Sequence, residues 1–166
     1  MSLALFVSAG FRGTSVRDIA DEVGVTQPTL YYHFGSKDGI LSALIQPLMD
    51  AGDALLDELA PHEAGSRALA TRALEGYYDL IAGHLDLFLL VESDRSVRSH
   101  PEAGRRLAEQ AARFLEILAS SSDRHDRLAA AAAIGAVRRP LRLFDIDPIE
   151  DRSAILACAQ AALHAG

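Results

Sequence analysis

A chain of 166 residues can fold as one compact unit, or as a small domain joined to a larger one, and can bury a sizeable core. Apolar residues make up 49% of it, with Ala and Leu dominant, which favours helices; a net charge of −7 argues mildly against a nucleic-acid partner unless the few cations are well placed. The lone cysteine, Cys158, excludes an internal disulfide and agrees with a reducing cytoplasm, the opening Met1-Ser2-Leu3 has no basic lead or cleavage signal, and the longest apolar run, 128–137, is mostly Ala and far short of the about 18 residues that span a bilayer.

The first predicted helix is a stub over 3–8, with Leu3, Phe6 and Val7 as its apolar side. Ser15 and Asp18 have the spacing of a capping box. The helix they open runs over 16–23, where Val16, Ile19, Ala20 and Val23 share one apolar face. Small Ala20 admits a close helix crossing, and Gly24 supplies the positive φ that ends the helix and turns the chain. Thr26 caps the next helix and Pro28 lies in its first turn, where a missing N–H costs nothing. Leu30 and Phe34 face the core, leaving Thr26, Gln27, Thr29, Tyr31, Tyr32 and His33 to point elsewhere. This is the spacing of a helix-turn-helix, the device that sets a small helix into the major groove of DNA.

Ser36 caps a fourth helix rich in Leu and Ile, interrupted by Pro47, so that Gln46-Pro47 divides a head, 1–46, from a body, 47–166. The stretch 61–65 is a break. A fifth helix is predicted over 67–91, a short helix or turn over 93–99, and a helix from Pro101 to about 120. The next spans about 126–139, stopped or kinked at Pro140. Asp147-Pro148-Ile149-Glu150 has cap, proline and acid in order for the start of a last helix reaching about 164. The small residues along 128–137, and Ile155, Leu156, Ala159, Ala162 and Leu163 on the last helix, form surfaces too apolar to face water.

Several stretches, in order and at matching spacing, carry a resemblance: Ala9-Gly10-Phe11, then Thr14-Ser15-Val16-Arg17-Asp18-Ile19-Ala20, Gly24-Val25-Thr26, Leu30-Tyr31-Tyr32-His33-Phe34 and Ser36-Lys37. Together they resemble the DNA-binding domain of the TetR family of transcriptional regulators. The resemblance covers about the first quarter of the chain. It implies an all-α fold, a three-helix helix-turn-helix head on a helical ligand-binding and dimerisation body of about six helices. It also implies a ligand-responsive regulator, a repressor more than an activator, that binds a palindromic double-stranded DNA operator as a cytoplasmic homodimer.

On that reading Gln27, Thr29 and Tyr31 meet base edges, while Thr26, Tyr32, His33 and Lys37 hold phosphates. Lys37 is the only lysine in the chain. The dimer would pair the last two helices through Leu128, Ala132, Ile134, Gly135, Ile155, Leu156, Ala159 and Leu163, with Cys158 near the seam. A small-molecule effector would sit among Tyr77, Tyr78, Ile81, His84, Phe88, Phe114 and Leu118, with Pro47 as a flexing point. Such regulators usually have a longer first helix with a basic lead-in. Here Met1 stands only about nine residues before Gly10-Phe11, so either the sequence is a trimmed form of a longer product or the protein lacks the arm; without an arm the head holds Arg12, Arg17 and Lys37 against Asp18, Asp21, Glu22 and Asp38, and the salt dependence of DNA binding should be shallow. The rival reading is a DNA-silent relative acting as a ligand- or partner-binding helical dimer.

Enzymatic readings have little to stand on. His62 with Glu63, His84 with Asp86, and His100 with Glu102 lack the paired spacing of a zinc site. Cys158 has no basic neighbour in sequence to activate it, and no phosphate loop or dinucleotide fingerprint occurs. No metal and no cofactor are expected.

Overall fold

The computed structural model describes residues 4–60, 66–119, 121–143 and 146–164. Among these residues the chain is all-α: helices, turns and no strand. In chain order the helices are α1 (Ala4–Gly13), α2 (Val16–Val23), α3 (Gln27–Phe34), α4 (Lys37–Leu59), α5 (Arg67–Gly83), α6 (Leu85–Ser93), α7 (Arg95–Arg98), α8 (Pro101–Leu118), α9 (Arg124–Leu143) and α10 (Arg152–Leu163). They divide between two compact units, Met1–Asp50 with His84–Ala108, and Ala51–Gly83 with Glu109–Gly166. Leu3, the Val7 side chain, the expected break over 61–65, and His62 and Glu63 lie outside the described residues.

The first unit is built on local signals that work as local chemistry says they should. Ser15 Oγ accepts from the Asp18 N–H at 3.1 Å and Asp18 Oδ2 accepts from the Ser15 N–H at 2.8 Å, closing the capping box of α2. Hydrogen bonding from Ser15 holds the Asp18 carboxyl below its ordinary range. At the other end Gly24 takes φ 70, ψ 31, and both it and Val25 donate their N–H to the Ala20 carbonyl. Val16, Ile19 and Ala20 are buried, as are Leu30 of α3 and Ile40, Leu41, Leu44 and Ile45 of α4. Burying a Leu or Ile side chain stabilises by about 1.5–3 kcal/mol, so this cluster outweighs any propensity effect in such short helices. Thr14 is buried at 2% exposure and donates its hydroxyl to the Gly10 carbonyl at 2.9 Å.

The second unit packs α5, α9 and α10 together. Its core includes Leu69, Ala73, Leu74, Tyr78, Ile81, Phe114, Ala130, Ala133, Val137, Ile155, Leu156 and Ala159. Tyr78 donates its hydroxyl to the Pro148 carbonyl at 2.7 Å, and burial pushes its pKa up. Arg152 makes a two-pronged pair with Asp79 at 2.8 and 2.9 Å, fixing the start of α10 against α5.

Several elements differ from the pattern expected from sequence. α1 extends to Gly13, because the chain bends at Gly10 (φ 72, ψ 164) and resumes. α4 runs through Pro47 without ending. Pro47 and Ala43, whose carbonyl loses its N–H partner, are both exposed, so water can take up the vacancy. α9 likewise continues past Pro140 to Leu143. The expected single helix over 67–91 is two, parted at His84. Asp147 does cap, accepting from the N–H groups of Ile149 and Glu150 at 2.7 and 3.0 Å, but it closes only one turn and α10 begins at Arg152. α4 is also long enough, at mean hydropathy 1.2 over 18 residues, to pass as a membrane span. Eight of its apolar side chains, from Ile40 to Leu59, are buried within the protein, which accounts for that hydropathy as core.

Gly24 gives a direct check on the turn. A Cβ there would meet nothing within 4 Å, so substitution costs backbone strain alone. Gly24→Ala should destabilise by about 1–2 kcal/mol and Gly24→Asn by less, read as the shift in urea midpoint. Equal midpoints for all three proteins would show that the left-handed turn is not what ends α2.

Candidate nucleic-acid interface

α3 has eight residues, and only Leu30 among them is fully buried. Phe34 is half-buried on the same side, while Gln27, Thr29, Tyr31, Tyr32 and His33 are exposed. Tyr31 is 48% and Tyr32 86% exposed, a large aromatic surface for a helix with no core to build there. The Tyr32 and His33 rings meet edge-on with centroids 5.2 Å apart, which limits how either can turn. Thr26 caps α3 by accepting from the Thr29 N–H at 3.4 Å, and the two hydroxyls lie 2.9 Å apart. Thr26 therefore has a structural duty besides any contact with phosphate.

The structure thus places Thr26, Gln27, Thr29, Tyr31, Tyr32 and His33 on one exposed helix, with Lys37 at the start of α4 just beyond it. The nearby acids are partly engaged. Asp18 is bound to the α2 backbone, Asp21 lies 3.7 Å from Arg17, and Asp38 lies 3.9 Å from His100. Lys37 makes no ion pair among the described residues. Its Nζ lies 4.5 Å from the centroid of the Phe11 ring.

Phe11 in turn is held by a residue that sequence reasoning missed. The bend at Gly10 directs the Phe11 N–H to Asp94 Oδ2, at 2.5 Å. Asp94 Oδ1 accepts from the Ser96 N–H at 2.8 Å, capping α7. Burial pushes the Asp94 pKa up, but hydrogen bonds from the Ser96 side chain and from the N–H groups of Phe11, Ser96 and Val97 outweigh it, and the carboxyl sits below its ordinary range. Phe11 and Asp94 are 83 positions apart, so no spacing rule could have joined them.

A cleft of about 620 Å³ opens beside this joint, lined by Phe6, Ala9, Gly10, Arg12, Gly13, Ser93, Asp94, Arg95, Ser96 and Ser99. None of the seven residues expected around an effector lines it. Of those, Tyr77, Tyr78, Ile81, Phe114 and Leu118 belong to the second unit, and His84 and Phe88 to the first. Tyr77 and Phe114 are brought together, ring centroids 4.6 Å apart. Tyr78, Ile81 and Leu118 are core.

The residues expected at a dimer seam also divide. Ile155, Leu156 and Ala159 are buried within the single chain, because α10 turns that face toward α9 and α5. Ile134, Gly135 and Leu163 are half-buried. Leu128 is 59% exposed, and Ala132 is exposed with it. On α10 the outward positions are Ser153, Ala154, Ala157, Cys158 and Ala161. Among the described residues no cluster of metal-ligating side chains is found.

Fold and head together define a helix-turn-helix protein carrying a helical body. Residues 2–44 match the profile of the bacterial regulatory proteins of the tetR family, so the head is similar to the DNA-binding head of that family. Over 50 residues it is 40% identical to the HTH-type transcriptional repressor KstR2 of Mycobacterium tuberculosis, a match covering 30% of this chain and 25% of that protein. The match thus spans about a quarter of that relative's length. The solved structure of KstR2, a ketosteroid transcriptional regulator of the same organism, superposes with a TM-score of 0.72 at 19% identity, covering 93% of this chain and 89% of that one. The TetR family regulator PfmR from Thermus thermophilus gives 0.70 at 24%, covering 97% and 93%. FadR of Bacillus subtilis, solved with stearoyl-CoA, gives 0.66 at 18%, covering 98% and 95%. At such identities the structural likeness concerns the fold. These relatives are regulators of transcription, not enzymes.

The Asp94 joint carries a pH signature. Its pKa is lower folded than unfolded, so its stabilisation is fully present above the unfolded value of about 4 and is lost as pH falls through the lowered folded value. The urea-midpoint difference between the natural chain and Asp94→Asn should therefore shrink as pH falls below about 4. A difference constant from neutral pH into that range would show that the carboxylate charge adds nothing at this joint.

Proposed function

We propose that this chain is a ligand-responsive regulator of transcription that binds a palindromic DNA operator as a homodimer and represses until a small-molecule effector releases it. The observation that carries the reading is α3. It buries Leu30 alone and offers Gln27, Thr29, Tyr31, Tyr32 and His33 to solvent, with Lys37 beside it, in a head matching the tetR profile. A helix with one apolar anchor and five exposed polar or aromatic side chains suits a major groove better than it suits water. Gln27, Thr29 and Tyr31 are assigned to base edges, and Thr26, Tyr32, His33 and Lys37 to phosphates.

One short helix contacts too little base edge to be specific alone, which favours two heads about 34–36 Å apart on a twofold site. The outward strip of Leu128 and Ala132 on α9, with Ala154, Ala157 and Ala161 on α10, supports pairing through these helices. For the effector, the Tyr77–Phe114 ring pair is the better-placed part of the expected set. That a protein of this fold was solved with stearoyl-CoA supports a small-molecule effector without naming one here.

Selection of bound fragments from a random DNA pool at low salt should enrich a palindrome. Lys37→Ala should weaken all sequences alike and lower the slope of log affinity against log salt by about 1, whereas Gln27→Ala should relax preference at one base pair. Absence of any enriched sequence from the natural chain would favour the DNA-silent dimer. Uniform loss in both variants would refute the division of labour between base and phosphate contacts.

A further inference from the structure

We propose that Asp94 is a positioning residue for the chain's only lysine: by holding the Phe11 N–H it sets the ring on which the Lys37 ammonium rests, and so links the α6–α7 junction to the phosphate-facing start of α4. The link itself is a property of the free protein; its consequence for DNA rests on the function proposed above.

Three contacts in series carry this inference, all within the first unit. Asp94 is fixed at its own end, since Ser96 donates to Oδ1 with both its N–H and its hydroxyl. Its other oxygen is then aimed at the Phe11 N–H, which Gly10 presents by leaving helical geometry. Glycine suits this position for its backbone. Its φ of 72 is disfavoured for other residues, and the space beside it ends at Asp94 Oδ2, which a Cβ would just touch at 3.4 Å. A charge-assisted bond to a backbone N–H is among the stronger and more directional contacts available. It fixes the backbone of Phe11, and the ring follows, 8% exposed and stacked on Phe6 at a centroid distance of 6.0 Å. Lys37 Nζ lies over that ring at 4.5 Å. The negative face of an aromatic ring attracts an ammonium; Lys37 makes no salt bridge among the described residues, and Asp18, whose charge also feels Lys37, is held by its hydrogen bonds to Ser15. A shift of the α6–α7 junction would therefore reach a DNA-facing cation through one carboxylate and one ring.

Because Lys37 is the only lysine of these 166 residues, this chain labelled with 13C,15N-lysine yields the side-chain signals of one lysine, with no assignment problem. In the natural chain its ε-methylene protons should be shifted upfield by the Phe11 ring current, and the Phe11 amide should be downfield and protected from exchange. Asp94→Ala should move the lysine signal toward its free-peptide position, while Asp94→Asn, whose amide oxygen can still accept from Phe11, should largely retain it. An unmoved lysine signal in Asp94→Ala would overturn the proposal. So would an unprotected Phe11 amide in the natural chain, a measurement that needs no variant to fold.

The DNA arm uses the operator found by selection. Asp94→Ala should lower the salt slope by up to about 1, as Lys37→Ala does, and the double variant should lose little beyond Lys37→Ala alone. Fully additive losses would overturn the link. If the natural chain binds no DNA, the functional reading fails, and the lysine signal still decides the link.

Discussion

An eight-residue helix is marginal in water, where isolated helices need about 12–15 residues to persist, and the head relies on two of that length. α2 and α3 exist because their ends are capped and one face of each is buried. The capping box at Ser15, the left-handed turn at Gly24 and the Thr26 cap satisfy backbone groups that such short helices leave open in high proportion. Leu30 then anchors α3 against α2. With so little of α3 needed for packing, most of its side chains are left for another surface.

Charge placement completes this arrangement in a chain that is acidic overall. Asp18 and Asp21 are tied to neighbours on α2, while Lys37 rests on an aromatic seat close enough for its charge to be felt at Asp18. A cation held over a ring is less free to wander than one on a bare surface stem.

What could be read in the sequence was what depends on near neighbours. The caps at Ser15 and Thr26, the Gly24 turn and the burial of Leu30 were legible because each rests on residues no more than a few positions apart. The division at His84 was not: 67–91 is apolar enough to be read as one helix, and Gly83, which stands at the break, does not take the left-handed turn that Gly24 does. The cap at Asp147 was legible as a cap but not as the cap of a single turn, since the restart at Arg152 depends on Asp79 of α5. The faces of α9 and α10 were ambiguous because a run of alanines has no periodicity to read. Ile155, Leu156 and Ala159 turned inward and left smaller residues outside. The Asp94–Phe11 contact depends wholly on tertiary placement and had no signal. The base- and phosphate-facing assignments on α3 remain chemical inferences from exposure and residue type.

The alanine strip on the outer side of α9 and α10 has a thermodynamic implication. Alanine has no rotamers to freeze, so whatever packs against Ala132, Ala154, Ala157 and Ala161 orders almost no side chains on this partner. The entropic penalty of contact is then mostly rigid-body, and the gain depends on how closely two smooth backbones can nestle. Such a face is sensitive to bulk rather than to chemical type: one added methylene group in the strip would act as a spacer along its whole length. Leu128, the one large apolar side chain exposed on α9 among the described residues, would act as a peg that sets register on an otherwise featureless track.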